Sequence, residues 1–160
     1  MSRFIRAPSD GTGSTHAESC QSDMTLNPKS RLTASAAVLL VRDVVQAAEH
    51  YRDAMGFAYE RFWGDPPSFV ILHRDGMYMM LKQCDQKHIV PHWKVSGGLW
   101  NIYFWVSDVV ALHAEFVRRG AKIDYELCEQ PYGCREFGTQ DLDGYDIGFG
   151  QVMDSQANNA

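Results

Sequence analysis

The side chains best suited to metal binding or nucleophilic chemistry are six histidines and four cysteines, and they are scattered through the 160 residues. His88 and His92 have the i, i+4 spacing that a helical metal site uses, but Pro91 stands between them and no Glu or third His follows. The pair reads as an exposed linker. His50 and His73 are isolated and read as surface or strand-edge residues, while His113 falls in a helical stretch and reads as solvated. Cys20, Cys84, Cys128 and Cys134 lack C-x-x-C spacing, so neither disulfides nor cysteine-bound zinc are expected. No Ser-His-Asp or Cys-His arrangement follows from spacing, and Gly97-Gly98 is a turn in a linker, not a phosphate loop. Any chemistry must come from residues that the fold gathers.

Composition narrows what that fold can serve. With 45% hydrophobic residues the chain can bury one compact core, or two small ones packed together. A formal charge of −5 with no Lys/Arg cluster argues against nucleic acid as a partner. The same charge would attract small cations, or serve only solubility. No apolar run reaches the ~20 residues that cross a bilayer, and the first thirty residues lack the apolar stretch of a secretory signal. A cytoplasmic protein without membrane contact is expected.

Residues 1–31 are rich in Ser, Thr, Gly, Pro and Asp and carry no helical or strand period, so they are expected to form a disordered tail, as are residues 152–160. Between them, over 33–151, the chain repeats itself. Val41-Arg42-Asp43-Val44-Val45 recurs as Val106-Ser107-Asp108-Val109-Val110, and Tyr51 is matched by Phe116, at an offset of 65. In each copy an apolar run ends at an Asp that can cap the next helix, and that helix ends at a glycine, Gly56 or Gly120. The first copy continues with Phe57 to Trp63, Ser68 to Arg74, an Asp75-Gly76 turn and Met77 to Gln83. The second continues with Lys122 to Leu127, Tyr132 to Gln140, a turn at Asp143-Gly144 and Tyr145 to Gly150. Each module, 33–83 and 99–151, is thus β-α-β-β-β, joined by a linker at 84–98. The expected fold is α+β, with two tandem modules whose mixed sheets curl around a shared cavity.

The duplicated unit resembles the vicinal-oxygen-chelate superfamily, which includes glyoxalases, bleomycin-resistance proteins and dioxygenases. The most specific part is the ending Gly133-Cys134-Arg135-Glu136-Phe137, then Asp141-Leu142-Asp143-Gly144 and Phe149-Gly150-Gln151. It is similar to the ending common in bleomycin-resistance-like members, with Leu142 where a Pro is usual. Metal-dependent members hold a divalent ion with four side chains, two on the first strands of the modules and two on the last. The resemblance carries these onto Ala36, Asn101, Met80 and Gly148. Ala and Gly offer no donor, Met offers a soft thioether and Asn a weak oxygen, so no metal and no cofactor are expected.

Residues alternate across a strand, so the same inner face would carry Val38, Leu40, Tyr78, Lys82, Tyr103, Trp105 and Asp146. Tyr78, Tyr103 and Trp105 could stack on a planar ligand and Asn101 could orient it, or these residues simply fill the core. Of the neighbours Arg135 and Glu136 only one can face the cavity. Arg135 would pair with an anionic ligand or form a salt bridge at an interface. Trp63, Phe69 and Trp93 suit a cavity mouth or a dimer contact. The reading is a metal-free protein that sequesters a small, aromatic or cationic molecule, as the resemblance implies, and works as a homodimer. Two alternatives stay open: an enzyme of lyase, isomerase or dioxygenase type, with displaced metal ligands or with Tyr103, Lys82 or Asp146 as acid or base, and an interaction domain with a vestigial cavity.

Overall fold

The computed structural model describes residues 31–153, and the expected tails lie almost wholly outside this range. In order come β1 (Ala36–Val41), α1 (Val44–Met55), β2 (Phe62–Trp63), β3 (Phe69–Arg74) and β4 (Met77–Gln83). After the linker follow β5 (Ile102–Trp105), α2 (Val109–Arg119), β6 (Ile123–Gln130), β7 (Cys134–Gln140) and β8 (Asp146–Val152). The linker itself holds two single turns of 3-10 helix, Gln86–His88 and His92–Lys94. Each module forms a four-stranded mixed sheet, ordered β1-β4-β3-β2 and β5-β8-β7-β6. The expected strand at 57–63 is mostly irregular, with Ala58 bridging His73 before the two-residue β2. The last strand, expected over Tyr145 to Gly150, runs from Asp146 to Val152, two residues past its expected end.

The same local physics builds both copies. Asp43 is extended at the start of α1 and accepts hydrogen bonds from the Val45 and Gln46 N–H groups at 2.9 Å; Asp108 does this for Ala111 of α2. Gly56 and Gly120 end the helices in the left-handed region, at φ 69° and 78°. The last strands add a second cap, because Gln83 Oε1 accepts from Val44 N–H (3.2 Å) and Gln151 Oε1 from Val109 N–H (3.1 Å). Even the parallel register repeats: Val38 lies beside Met80 in one sheet and Tyr103 beside Gly148 in the other.

The modules join through their helix-covered faces. Leu39, Val41, Val70, Leu72, Met79 and Leu81 from the first sheet share one core with Phe137, Ile147 and Phe149 from the second and with both helices. Phe57, just after α1, packs on Phe104 of β5, and Phe116 meets Phe137 and Phe149 edge-on. Burying such side chains contributes about 1.5–3 kcal/mol each, which explains why these faces meet. The two sheets therefore do not close around one cavity within the chain, as their alternation alone suggested. Each keeps its opposite face open, with Val38 60% and Trp105 63% exposed.

Two histidines depart from expectation. His50 lies half-buried on α1 with its ring edge-on to Tyr51, and burial pushes its pKa down. His113, expected to be solvated, packs edge-on against Phe137 and contacts Glu126 at 3.1 Å. No helix among the described residues is long and apolar enough to cross a membrane.

Candidate functional site

The open face of the second sheet gathers most of the polar and aromatic residues of interest. Trp100 precedes β5, and its ring lies 4.8 Å from that of Tyr103, which lies 4.9 Å from that of Trp105. They form a continuous aromatic row along one strand. Their floor is glycine. An ideal Cβ on Gly148 would come within 2.6 Å of the Tyr103 ring, one on Gly150 within 1.8 Å of its hydroxyl, and one on Gly138 within 2.2 Å of the Tyr125 ring. The rings lie flat on backbone because these positions carry no side chain.

Under the rings sits Glu136 on β7, 1% exposed. Tyr103 Oη donates to its Oε2 at 2.7 Å, while Gln130 Nε2 at 3.0 Å and Tyr125 Oη at 3.3 Å donate to Oε1. Trp100 Nε1 in turn donates to Tyr125 Oη at 3.2 Å. Burial, followed by the nearby carboxylate, pushes the Tyr103 and Tyr125 phenols well above the ordinary tyrosine range, so both stay protonated donors. A buried carboxylate with this many donors fixes the rings it holds.

Of the residues expected to bind a ligand, the structure brings Tyr103 and Trp105 together and separates the rest. Tyr78 lies on the first sheet, its ring 6.3 Å from that of His73, and the residue is 42% exposed. Asn101 is drawn into the linker, where its Oδ1 accepts from His92 N–H at 3.1 Å. Arg135 points away from the aromatic row and pairs with Glu129, so the residue of that pair on the open face is Glu136. Expectation left Glu136 as the alternative to Arg135 and gave it no role, and it missed Trp100 and the glycine floor. The alternation Gly148-x-Gly150 on one strand, with Gly138 on its neighbour, was the available signal.

The four positions that the resemblance assigns to a metal do not fit one. Ala36 and Gly148 carry no donor, the Asn101 oxygen is engaged, and the space a side chain at Gly148 would need is filled by Tyr103. Among the described residues no three His, Cys, Asp or Glu side chains converge. A prediction follows for the glycine: Gly148→Ala should displace Tyr103 and Trp100 and lower stability by about 2 kcal/mol. Urea unfolding checks it, and a loss under about 0.5 kcal/mol would mean the rings do not rest on this backbone.

Comparison places this architecture among known proteins. Residues 33–149 match the model of the Glyoxalase/Bleomycin resistance protein/Dioxygenase superfamily. Among solved structures the chain is similar to TioX from Micromonospora sp. ML1, at 21% identity and TM-score 0.59, covering 76% of this chain and 99% of that one. It is similar to a glyoxalase/bleomycin resistance protein/dioxygenase from Alicyclobacillus acidocaldarius at 16% identity and TM-score 0.63, covering 83% and 98%. The bleomycin-binding protein of bleomycin-producing Streptomyces verticillus, solved with copper(II)-bleomycin, matches at 22% identity and TM-score 0.56, covering 78% and 98%. No curated protein matches the chain.

Proposed function

Because this chain belongs to the Glyoxalase/Bleomycin resistance protein/Dioxygenase superfamily, we propose that it is a binding protein that captures a small planar organic molecule without transforming it. The observation that carries the reading is the Trp100, Tyr103 and Trp105 row, partly open to solvent and held from below by Glu136. Tyrosine and tryptophan present large rigid surfaces at low entropic cost, and stacking on them needs no metal. The carboxylate beneath favours a ligand with some positive charge. Likeness to a bleomycin-binding protein supports the fold as a setting for capture.

A second copy of the chain completes the site in this reading. The first sheet offers an open face with Val38, Tyr78, Met80, Phe69 and His73, complementary in apolar character to the row on the second. Two copies that set first sheet against second sheet would cover both faces and enclose two equal sites.

Titration of the purified chain with copper(II)-bleomycin and with proflavine, followed by tryptophan fluorescence, tests the proposal. Saturable quenching is expected, with the ligand recovered unchanged. Trp105→Ala should weaken binding about tenfold, the loss of roughly 1.4 kcal/mol from one stacking contact. Absence of binding by either probe, or its chemical conversion, would overturn the reading.

A further inference from the structure

The duplication supplies an internal comparison between two places where a hairpin turn of one module meets the helix start of the other. At the first, the β7–β8 turn seals the start of α1. Arg42 Nε donates to Asp143 Oδ1 at 2.6 Å, its Nη2 donates to the Leu142 carbonyl, and Tyr145 Oη donates to the Leu40 carbonyl at 2.8 Å. The Asp143 side chain is only 3% exposed there.

The register carries each part of this seal to a counterpart at the second junction. Arg42 corresponds to Ser107 and Leu40 to Trp105, while Asp143 corresponds to Asp75 and Tyr145 to Met77. The β3–β4 turn is also one residue shorter, since Arg74 faces Met77 directly, whereas three residues separate Asp141 from the Tyr145 carbonyl that its N–H bonds. Serine cannot span what arginine spans, and methionine has no hydroxyl. The junction is left open: Asp75 is 87% exposed at its side chain and Met77 54% exposed. Both line a cleft of about 450 Å³ whose walls include Phe57, Phe104, Phe116 and Phe149.

We propose that this cleft binds a small organic cation bearing an aromatic ring, its charged group taking the place that Arg42 holds at the sealed junction and its ring the place of Tyr145. The volume suits such a molecule. Around it Asp75, Asp108 and Glu115 outnumber Arg74 and Arg119. Glu115 is already tied to both guanidiniums, at 2.8 and 2.7 Å, and Asp108 spends one oxygen on the helix cap. Asp75, held only by Arg74 at 3.3 Å, is the carboxylate an incoming cation meets. A cation beside a helix start is ordinarily unfavourable, but Asp108 offsets the partial charge there. Asp43 does the same beside Arg42 at the sealed junction.

Benzamidinium chloride and its neutral analogue benzamide, added to the full chain and followed by amide chemical shifts and calorimetry, test this site. Benzamidinium should saturate and shift residues 74–77 and 107–112, and benzamide should bind about fivefold or more weakly. Ser107→Arg should rebuild the bridge to Asp75, raise thermal stability and lower benzamidinium affinity at least about tenfold. Ala111→Met, which fills the cleft without changing charge, should give the same loss and serves if Ser107→Arg does not fold. Equal binding of benzamide, no saturable binding, shifts confined to the β5 row, or binding that survives in the folded variants would each overturn the proposal.

Discussion

Glu136→Ala should destabilise the domain by about 3 kcal/mol and weaken ligand capture together. The substitution leaves three donors without their acceptor: Tyr103 Oη, Tyr125 Oη and Gln130 Nε2. A buried unpaired polar group costs about 1–3 kcal/mol, and these part-buried donors recover some of that through water. The vacated carboxylate volume adds a cavity cost of the same order. Glu136→Gln keeps the shape and one acceptor, so about 1 kcal/mol is expected. Both values come from urea unfolding, and proflavine binding should fall with Glu136→Ala because Tyr103 and Trp100 lose their fixed pose. A Glu136→Ala variant within 0.5 kcal/mol of wild type, about the error of such measurements, would show that the network does not hold the rings.

The network shows where strand alternation stops being informative. The Asp caps, the Gly stops and the Asp-Gly turns were legible because each is decided within a few residues, and the offset of 65 tied the two copies together. Alternation also sorted Tyr103 and Trp105 onto one face. It could not say which face the other module covers, since both faces of these strands carry apolar residues; that was settled by the long-range packing of Phe57 on Phe104 and of Met55 on Thr139. Arg135 and Glu136 were a choice between opposite faces, and a one-residue register decides it. Asn101 sits just before a strand, where its side chain answers to the linker instead of the sheet. His113 looked solvated because helical position alone hides the Phe137 ring beneath it.

The remaining large effect concerns Asp141, which clamps the sealed junction and is 6% exposed. Its Oδ2 accepts from Tyr51 Oη of the other module at 2.7 Å, and its Oδ1 accepts from the Asp143 and Tyr145 N–H groups at 2.9 and 2.8 Å. Burial nevertheless wins over these bonds and raises its pKa to about 6, from 3.8 for the free side chain. A carboxyl whose pKa is raised by folding favours the folded state most when protonated, below pH 4, and loses that contribution as pH rises through 6. The difference is about 3 kcal/mol, so wild-type stability should gain most of this on going from pH 7.5 to pH 4.5, relative to a chain without the group. Asp141→Asn is that reference. Its amide oxygen can accept from both backbone N–H groups while its nitrogen donates to the Tyr51 oxygen, so the junction stays closed and the pH dependence goes. Asp141→Ala removes all three bonds and should cost about 3 kcal/mol or more at pH 4.5. Unfolding measured at both pH values separates the outcomes: parallel behaviour of wild type and Asp141→Asn would mean that the hydrogen bonds, not burial, set this carboxyl.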